Sequence, residues 1–440
     1  MKSALAGLVT LTLLWHCIFV STSDDPGFQK GWHFNSPNSR IRSAIFDPKL
    51  QQFLYASCNE ENFPKELPCV FTMELLKSNT TISRVCHLNI KASNDKNLLL
   101  SRSPLDNPIF DPFKILDETK AILMWGEGNI SADGILETSK NLTIIDFVTC
   151  EVRSHGFLLD PDRLSKNSAE DSNIVIYKGT FDLFIPDKKV CGDSGQCRLT
   201  YDYKGNKIDG PEPISTGWPS MIVEPALQNS AAKGFFVVNQ FLGNNVVSHV
   251  SINGTNSPLL YPSGHKVFFK FSNTHEKFTF CWREYAKMLE SDTRGTGIQC
   301  TQYDIDNLSR MINATFTYPE RVDQLAVRNL LNGGFLVFTI ECDAEGSAHY
   351  VANATVTKVG IDGKKQLIAS QELSPGLGWA TCSPNRPFDN VGIWINKGKL
   401  CYYFSNIMVN ERDPMEITGP GLLMLWQECF AGQNFDEQFD

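Results

Sequence analysis

Beyond its first twenty residues, the sequence has no hydrophobic run long enough to cross a membrane. It also has no block of basic residues, and its 40 Lys and Arg are outnumbered by 49 Asp and Glu. The formal net charge is −9, with the acidic residues spread along the chain. Nucleic acid and anionic membrane surfaces are therefore not expected as partners, because both attract concentrated positive charge.

The motifs of several enzyme and metal-binding classes are missing as well. The sequence contains no Gly-X-Ser-X-Gly elbow, no phosphate-binding loop and no Asp-box of the sialidase type. It also has no Cys-X-X-Cys, His-X-His or His-Glu-X-X-His pattern. We therefore assign no catalytic, cofactor-binding or metal-binding residue, and we expect no cofactor.

The first residues have the layout of a targeting signal. Lys2 is followed by an apolar run from Ala4 to Val20, and small residues occupy positions 21–23. This layout predicts a signal peptide over residues 1–23 and a secreted, extracellular chain over residues 24–440, without a membrane span. An uncleaved membrane anchor is the alternative, because the run is almost long enough to span a bilayer.

Cysteines and glycosylation motifs also favour secretion. Of the 13 cysteines, Cys17 lies in the signal region, so an even number remains for disulfides. The chain has seven Asn-X-Ser/Thr sequons behind the signal, which predict N-glycosylation at several exposed sites. The sequons begin at Asn79, Asn129, Asn141, Asn253, Asn307, Asn313 and Asn353.

Short strands dominate the rest of the chain. Most apolar runs are brief, rich in β-branched or aromatic residues, and closed by Gly, Asn, Asp or Pro. Many of these strands lead into similar polar turns about 50 residues apart, which is the length of a four-stranded propeller blade. The turns lie near Ser78, His155, Gly205, Gly254, Asp306, Gly363 and Glu411. The first interval is longer because a polar, Pro-containing segment, residues 91–112, is inserted there.

A second repeat leads to the same number of units. Gly-Trp pairs at Trp32, Trp218 and Trp379 would open the first, fourth and seventh blades. We therefore predict an all-β fold with one domain, a disulfide-stapled β-propeller of seven four-stranded blades. An array of immunoglobulin-like sandwiches is disfavoured, because neither Cys pairs nor Trp residues recur at that spacing. The approximate blades are residues 31–90, 110–165, 170–212, 215–262, 264–318, 322–374 and 377–440, with 91–109 as an inserted loop.

The stretch Gly-Asp-Ser-Gly at residues 192–195 matches the surroundings of the nucleophile in chymotrypsin-like proteases. The continuation differs, and no upstream segment supplies a general-base histidine, since His33, His87 and His155 lie in unrelated contexts. We interpret Ser194 as the tip of a hairpin that a disulfide closes. Three such hairpin disulfides are predicted, namely Cys58–Cys69, Cys191–Cys197 and Cys281–Cys300.

Other candidate residues have structural explanations. The remaining cysteines (Cys86, Cys150, Cys342, Cys382, Cys401 and Cys429) allow 15 connectivities. His249 and His349 lie in strand-like runs and are expected to be structural. The pairs Asp304/Asp306 and Asp160/Asp162 could offer oxygens to calcium, but polar turns are the simpler interpretation. The Gly-Trp tryptophans could stack on a ligand, and packing between blades is the simpler account.

The function predicted from these patterns is binding rather than catalysis. The expected protein is a secreted, N-glycosylated, disulfide-rich propeller that recognises an extracellular protein, a glycan or a small ligand through one face. The insertion at residues 91–112 is a candidate contact loop. An extracellular hydrolase of glycans or esters, with acidic residues in the central pocket, is the alternative.

Overall fold

The structure is a computed structural model, and its descriptions are confined to part of the chain. The described residues are 31–35, 39–47, 52–59, 70–76, 82–88, 97–99, 113–117, 119–131, 134–146, 148–158, 173–177, 179–185, 188–192, 197–213, 220–228, 231–241, 244–251, 256–260, 267–273, 277–284, 296–318, 321–342, 352–373, 390–408 and 422–435. Within them the chain forms β-strands and turns, apart from a helical turn at Lys188–Cys191.

The strands follow one another in groups along the chain. After β1 (Gly31–Asn35), the first two groups are β2 (Ser39–Asp47), β3 (Gln52–Asn59), β4 (Val70–Leu76) and β5 (Ile82–Leu88), then β6 (Asn97–Leu99), β7 (Phe113–Ile115), β8 (Lys120–Ser131), β9 (Gly134–Asp146) and β10 (Glu151–Leu158). The next two are β11 (Asn173–Ile176), β12 (Thr180–Ile185), β13 (Cys197–Asp202) and β14 (Lys207–Pro213), then β15 (Ser220–Gln228), β16 (Ala231–Phe241), β17 (Asn244–Ser251) and β18 (Asn256–Leu260).

The last groups complete the chain. They are β19 (Val267–Asn273), β20 (Lys277–Glu284), β21 (Thr296–Asp304) and β22 (Arg310–Tyr318), then β23 (Arg321–Asn329), β24 (Phe335–Cys342), β25 (Ala352–Val359) and β26 (Lys365–Glu372), and finally β27 (Asn390–Asn396), β28 (Lys399–Met408) and β29 (Leu422–Asn434). We number the resulting sheets 1 to 7 in this order.

The sheets form a propeller, which confirms the all-β fold of four-stranded sheets expected from the sequence. Five of them, sheets 1, 3, 4, 5 and 6, consist of four consecutive antiparallel strands. Sheet 2 has five strands, and sheet 7 is completed by β1. The first strands of the sheets meet around the centre: β2 contacts β7, β11 contacts β15, β15 contacts β19, β19 contacts β23, β23 contacts β27, and β27 contacts β2. The last strand of each sheet is therefore outermost.

Two details differ from the segmentation made on the sequence. Gly31 and Trp32 were expected to open the first blade, but β1 pairs with β29 and forms the outer strand of sheet 7, with Trp32 opposite Leu425. The inserted loop at 91–109 contains β6, which pairs with residues 126–128 of β8. Both differences arise from pairing between strands that are not adjacent in sequence. The local sequence pattern contains no signal for such pairing.

The predicted polar turns lie mostly where expected. Gly205 and Gly363 have positive φ and donate their amides to the carbonyls of Asp202 and Gly360, closing tight turns between third and fourth strands. The turn expected near His155 is at residues 148–150 instead, because His155 lies within β10. Residue 411 lies between second and third strands, a different connection from the other turns.

Packing between neighbouring sheets provides the core. In β24, Leu336, Phe338 and Ile340 pack with residues of sheet 7, whereas Phe335 and Val337 pack with residues of sheet 5. Equivalent apolar clusters join sheet 2 to sheet 3 and sheet 4 to sheet 5. A strand that is buried on both faces needs an almost continuous apolar sequence, and the run Phe335–Ile340 has one.

A buried polar network links sheets 5 and 6. Gln302 Nε2 donates to Thr279 Oγ1 and Asn329 Oδ1, each at 3.0 Å, and to the carbonyl of Gly334 at 3.1 Å. Thr279 Oγ1 donates to Asn329 Oδ1, and Asn329 Nδ2 donates to the Lys277 carbonyl at 3.0 Å. These side chains are almost fully buried, so their hydrogen bonds cannot be replaced by water.

Replacing Asn329 with Ala should destabilise the fold strongly. The change removes the acceptor of the Thr279 hydroxyl and of one Gln302 hydrogen bond, and the side-chain donor to the Lys277 carbonyl, in a buried site, which should cost about 3 kcal/mol of unfolding free energy. Asn332→Ala, in the exposed part of the following turn, is the matched control and should cost less than about 0.5 kcal/mol. Urea unfolding measures both, and equal losses in the two variants would contradict the prediction.

Candidate functional site

The two ends of the propeller differ in the lengths of their connections. Because neighbouring strands are antiparallel, connections from first to second and from third to fourth strand lie at one end. In the regular sheets these contain two to five residues, so we call this the short-turn end. The opposite, long-loop end receives the second-to-third connections and the links between sheets. The longest are residues 89–112, which contain β6 and the predicted contact loop 91–112, and residues 159–172, 186–196, 285–295, 373–389 and 409–421.

Disulfides join the second and third strands that hold several of these long connections. Cys191–Cys197 closes the connection of sheet 3, and Cys281–Cys300 joins directly opposite residues of β20 and β21 in sheet 5. Both are pairs predicted from the sequence. The third predicted pair, Cys58–Cys69, lies outside the residues whose side chains are described. The long-loop end is therefore built on covalently braced hairpins.

The hairpin around Ser194 differs in one respect from the prediction. Cys191 belongs to the helical turn Lys188–Cys191 rather than to a strand, and Cys197 is the first residue of β13. Gly192 follows with a positive φ of 63°. Ser194 itself lies outside the described residues, so its role as a hairpin tip stays a prediction.

The structure also settles part of the open cysteine pairing. Cys401 and Cys429 face each other across β28 and β29 and form a disulfide, again between the second and third strands of a sheet. Cys150 and Cys342 are disulfide-bonded too. Sequence spacing could not find the Cys401 pair, because a stretch of 28 residues separates its members.

Among the described residues three acidic side chains are buried, and each is hydrogen-bonded within its own sheet. Glu127 accepts a hydrogen bond from Ser139 in sheet 2, at 3.4 Å, and Glu428 accepts one from Tyr402 in sheet 7, at 2.9 Å. Asp182 in sheet 3 accepts a hydrogen bond of 2.6 Å from Thr200. A glycosidase needs two carboxyl groups facing one cleft. These three lie on three different sheets.

Asp182 is part of a charged cluster on one face of sheet 3. Burial raises the pKa of Asp182, while the Thr200 hydrogen bond and the positive charge of Arg198 act in the opposite direction. Arg198 lies 3.5 Å from the Asp182 carboxylate and also pairs with Glu212 on β14. The cluster therefore ties together the three outer strands of this sheet, a structural role.

The acidic residues of the short turns cap the backbone. Asp304 Oδ1 accepts the amides of Asp306 and Asn307, at 2.8 and 3.2 Å. Asp202 and Asp362 accept turn amides in the same way, and these bonds contribute to a lowered pKa for both carboxyls. The Asp304/Asp306 pair is therefore turn chemistry, as the simpler interpretation held. Asp160 and Asp162 lie outside the described residues.

His249 is a buried side chain of β17. Its ring packs edge-on against Phe236, with centroids 5.3 Å apart, and burial lowers the pKa of the imidazole. Nε2 is buried without a hydrogen-bond partner among the described residues. In that part of the chain, no group of three or more His, Cys, Asp or Glu could hold a metal ion. The His249 ring thus packs against Phe236, its structural role stays a prediction, and His349 lies outside the described residues.

The predicted glycosylation sites differ in exposure. Asn307, Asn313 and Asn353 are exposed. Asn141 is only partly exposed, and its Nδ2, the atom that would carry the glycan, is buried without a hydrogen-bond partner. The Asn141 Oδ1 lies only 3.0 Å from the point where a Cβ on Gly156 would stand, so this side chain is closely packed. Asn79 and Asn253 lie outside the described residues, and only the backbone of Asn129 is described.

The described part of the chain contains no helix that is long and apolar enough to cross a membrane. Residues 1–23, where the signal peptide is predicted, are not among the described residues.

His249 should make the protein less stable in mild acid. Burial lowers the pKa of the His249 imidazole below 6.5. As pH falls below that value, the imidazole is therefore protonated in the unfolded chain before it is protonated in the folded chain. The free energy of unfolding should then drop by up to about 1.4 kcal/mol per pH unit. His249→Phe should remove this contribution to the pH dependence. Urea unfolding between pH 7.5 and 5 measures the slope. An unchanged slope in the variant would contradict the prediction.

The sequons should be used unequally. We expect glycans on Asn307, Asn313 and Asn353, and none on Asn141, because a glycan on its buried Nδ2 would separate β9 from its neighbours. Mass spectrometry of glycopeptides from the secreted protein measures the occupancy of each site. Full occupancy at Asn141 in folded protein would overturn this expectation.

Comparisons with known proteins show no family. No protein-family model matches the sequence, and no curated protein matches it significantly. The structure is similar to the WD40 domain of SCAP from fission yeast, with 9% identity, a TM-score of 0.41, and 92% of this chain and 98% of that chain covered. It is also similar to the uncharacterized protein lmo1340 from Listeria monocytogenes EGD-e, with 10% identity, a TM-score of 0.39, and 82% and 88% covered. It is also similar to an acylaminoacyl peptidase, with 8% identity, a TM-score of 0.35, and 90% of this chain and 59% of that chain covered. Identities this low assign no function.

Proposed function

We propose that this chain is a secreted, N-glycosylated binding protein that holds an extracellular ligand, a protein or a glycan, at the long-loop end of its propeller. The observation that carries the proposal is the asymmetry between the two ends. One end has turns of two to five residues, and the other has connections such as 285–295 and 409–421 on rigid strand pairs. Loops that a rigid scaffold positions are where binding residues concentrate.

The disulfides support this assignment. Cys281–Cys300 holds the two strands on either side of a long connection, and Cys191–Cys197 ties the helical turn Lys188–Cys191 in the connection of sheet 3 to the start of β13. Fixing both ends of a loop lowers the conformational entropy that the loop loses on binding, which favours affinity. Covalent bracing of this kind also fits an oxidising, extracellular compartment.

The positions of the sequons support the same end. Asn79, Asn253 and Asn307 fall in third-to-fourth connections, at the short-turn end. No sequon begins within a connection of the long-loop end, although Asn353, the second residue of β25, and Asn129, two residues before the end of β8, lie near it. Glycans at the three turns would shield the short-turn end and leave the opposite end accessible to a ligand.

The buried carboxylates favour binding over hydrolysis. Glu127, Asp182 and Glu428 are each bonded to a hydroxyl group of their own sheet. A general acid and its partner carboxylate must instead reach one scissile bond from the two sides. Glu127, Asp182 and Glu428 therefore act as structural groups of single sheets.

The proposal is tested by exchanging a loop at each end. The chain is expressed with its native N-terminus in secretory cells, captured from the medium, and screened against glycan arrays and extracellular-fluid proteins. Replacing residues 286–294 with a Gly-Ser linker should weaken binding of the identified ligand by at least about tenfold, or 1.4 kcal/mol.

The matched control changes the short-turn end. Asn332→Ser, in the turn of sheet 6, should leave the affinity unchanged because it lies at the opposite end of the propeller. Residues 187–190 and 410–420 are replaced in the same way in two further variants. The assignment would be refuted if all three loop variants bound the ligand with the affinity of the parent. Retention of the protein inside the cells, or turnover in a glycosidase and esterase screen, would refute the secreted binding role.

A further inference from the structure

The outermost strand of sheet 5, β22, has one buried and one exposed side. Ile312 and Phe316 pack in the apolar cluster between sheets 5 and 6. Because side chains alternate along a strand, Asn313 and Thr315 stand on the opposite side of β22, and both are exposed. The strand therefore presents a row of exposed side chains at the rim of the propeller.

An apolar side chain begins this row. Met311 is 43% exposed, and a β-bulge between Arg310 and Ile312 makes it an extra residue of the strand. Since Ile312 points towards sheet 6, Met311 stands on the exposed side, two residues before Asn313. Side chains two residues apart on a strand are about 7 Å from each other, which a single pyranose ring with its substituents can span.

A hydrogen bond orients the side chain of Asn313. The hydroxyl of Thr301, a buried residue directly opposite on β21, donates to Asn313 Oδ1 at 3.0 Å. Because the carboxamide is planar, an oxygen that points towards β21 turns Nδ2 towards the outer edge of the sheet. Nδ2 is the atom that carries the glycan of a used sequon. A sugar on it therefore starts between Met311 and Thr315 rather than over β21.

The other exposed sequons have different surroundings. Asn307 lies in a turn, where its Oδ1 accepts the amide of Ser309 at 2.8 Å. The sequon of Asn353 ends in Thr355, which is buried. Among the sequons whose side chains are described, Asn313 alone has an exposed apolar residue two positions before it and an exposed Thr two positions after it, on one side of a strand.

We propose that the first N-acetylglucosamine on Asn313 packs against Met311 and Thr315 and stabilises the outer edge of sheet 5. The C–H groups on one face of the sugar ring cover the Met311 side chain and the Thr315 methyl group, which removes apolar area from water. Thr301 acts as a positioning residue for the glycan. The contact rests on the N-glycosylation in the proposed function and is independent of any ligand at the long-loop end.

Hydrogen exchange followed by mass spectrometry tests the contact in the secreted full chain, with its glycans trimmed to the first sugar by an endoglycosidase. Met311→Ala should accelerate amide exchange in peptides that cover residues 297–303 and 310–318 about fivefold or more, because β22 opens more often without the contact. In the Asn313→Gln background, the same change should alter exchange less than about twofold, since an exposed Met without the sugar contributes little. The difference between the two effects measures the coupling of Met311 to the glycan.

Two further backgrounds separate the sugar from the Asn313 side chain. Thr315→Val destroys the sequon but keeps Asn313 and its hydrogen bond to Thr301, so the Met311→Ala effect should disappear there as well. Asn307→Gln is the matched control, because it removes the glycan of the neighbouring turn in the same sheet. In that background Met311→Ala should keep its fivefold effect.

Two results would overturn the proposal. One is an effect of Met311→Ala that is the same with and without the Asn313 glycan. The other is an unoccupied Asn313 in glycopeptides of the secreted protein. If Asn307 and Asn353 then still carried glycans, the secreted, N-glycosylated role would stand and only this contact would be refuted. Failure of the loop variants to change ligand binding would refute the binding site and leave the Met311 comparison unaffected.

Discussion

Burial of apolar side chains between neighbouring sheets is the constraint on which the described part of this structure depends. Sheet 6 shows it most fully, because β24 sends Leu336 and Phe338 to one side and Phe335 and Val337 to the other. A sheet with two apolar faces cannot stand at the end of a row, since one face would meet water. Closure into a ring removes this problem for all sheets at once. The contact between β27 and β2, and the pairing of β1 with β29, provide that closure.

Buried polar groups then specify which neighbours meet. The hydrogen bonds that Gln302 and Asn329 make between sheets 5 and 6 form only when the two sheets are in register, whereas apolar faces alone tolerate sliding. The Asp182 cluster works within one sheet and fixes β12 against β13 and β14. Because these polar groups fix how the strands and sheets are oriented, the connections at the two ends of the ring could differ in length and composition without disturbing the core.

Whether the sequence predicted a feature depends on how far apart along the chain its interacting residues lie. Strand runs, Asp-capped turns and the close pairs Cys191–Cys197 and Cys281–Cys300 arise from neighbouring residues, so local pattern identified them. The pairing of Trp32 with Leu425, the placement of β6 on β8 and the Cys401–Cys429 bond join distant segments, and no local signal marks them. At the candidate site, the predictions named individual residues. The division into a short-turn and a long-loop end required the strand order.

The pairing of β1 with β29 also sets an order of events during synthesis. Residues 31–35 emerge from the ribosome early, yet their partners at 422–426 appear almost 400 residues later. Until then the first strand has no place to pair, and the surface of sheet 1 that faces sheet 7 stays open. Nascent chains of this protein therefore carry an unpaired first strand for most of translation, at about 5–20 residues per second. Its folding yield should depend on chaperones that hold those surfaces apart until the ring can close.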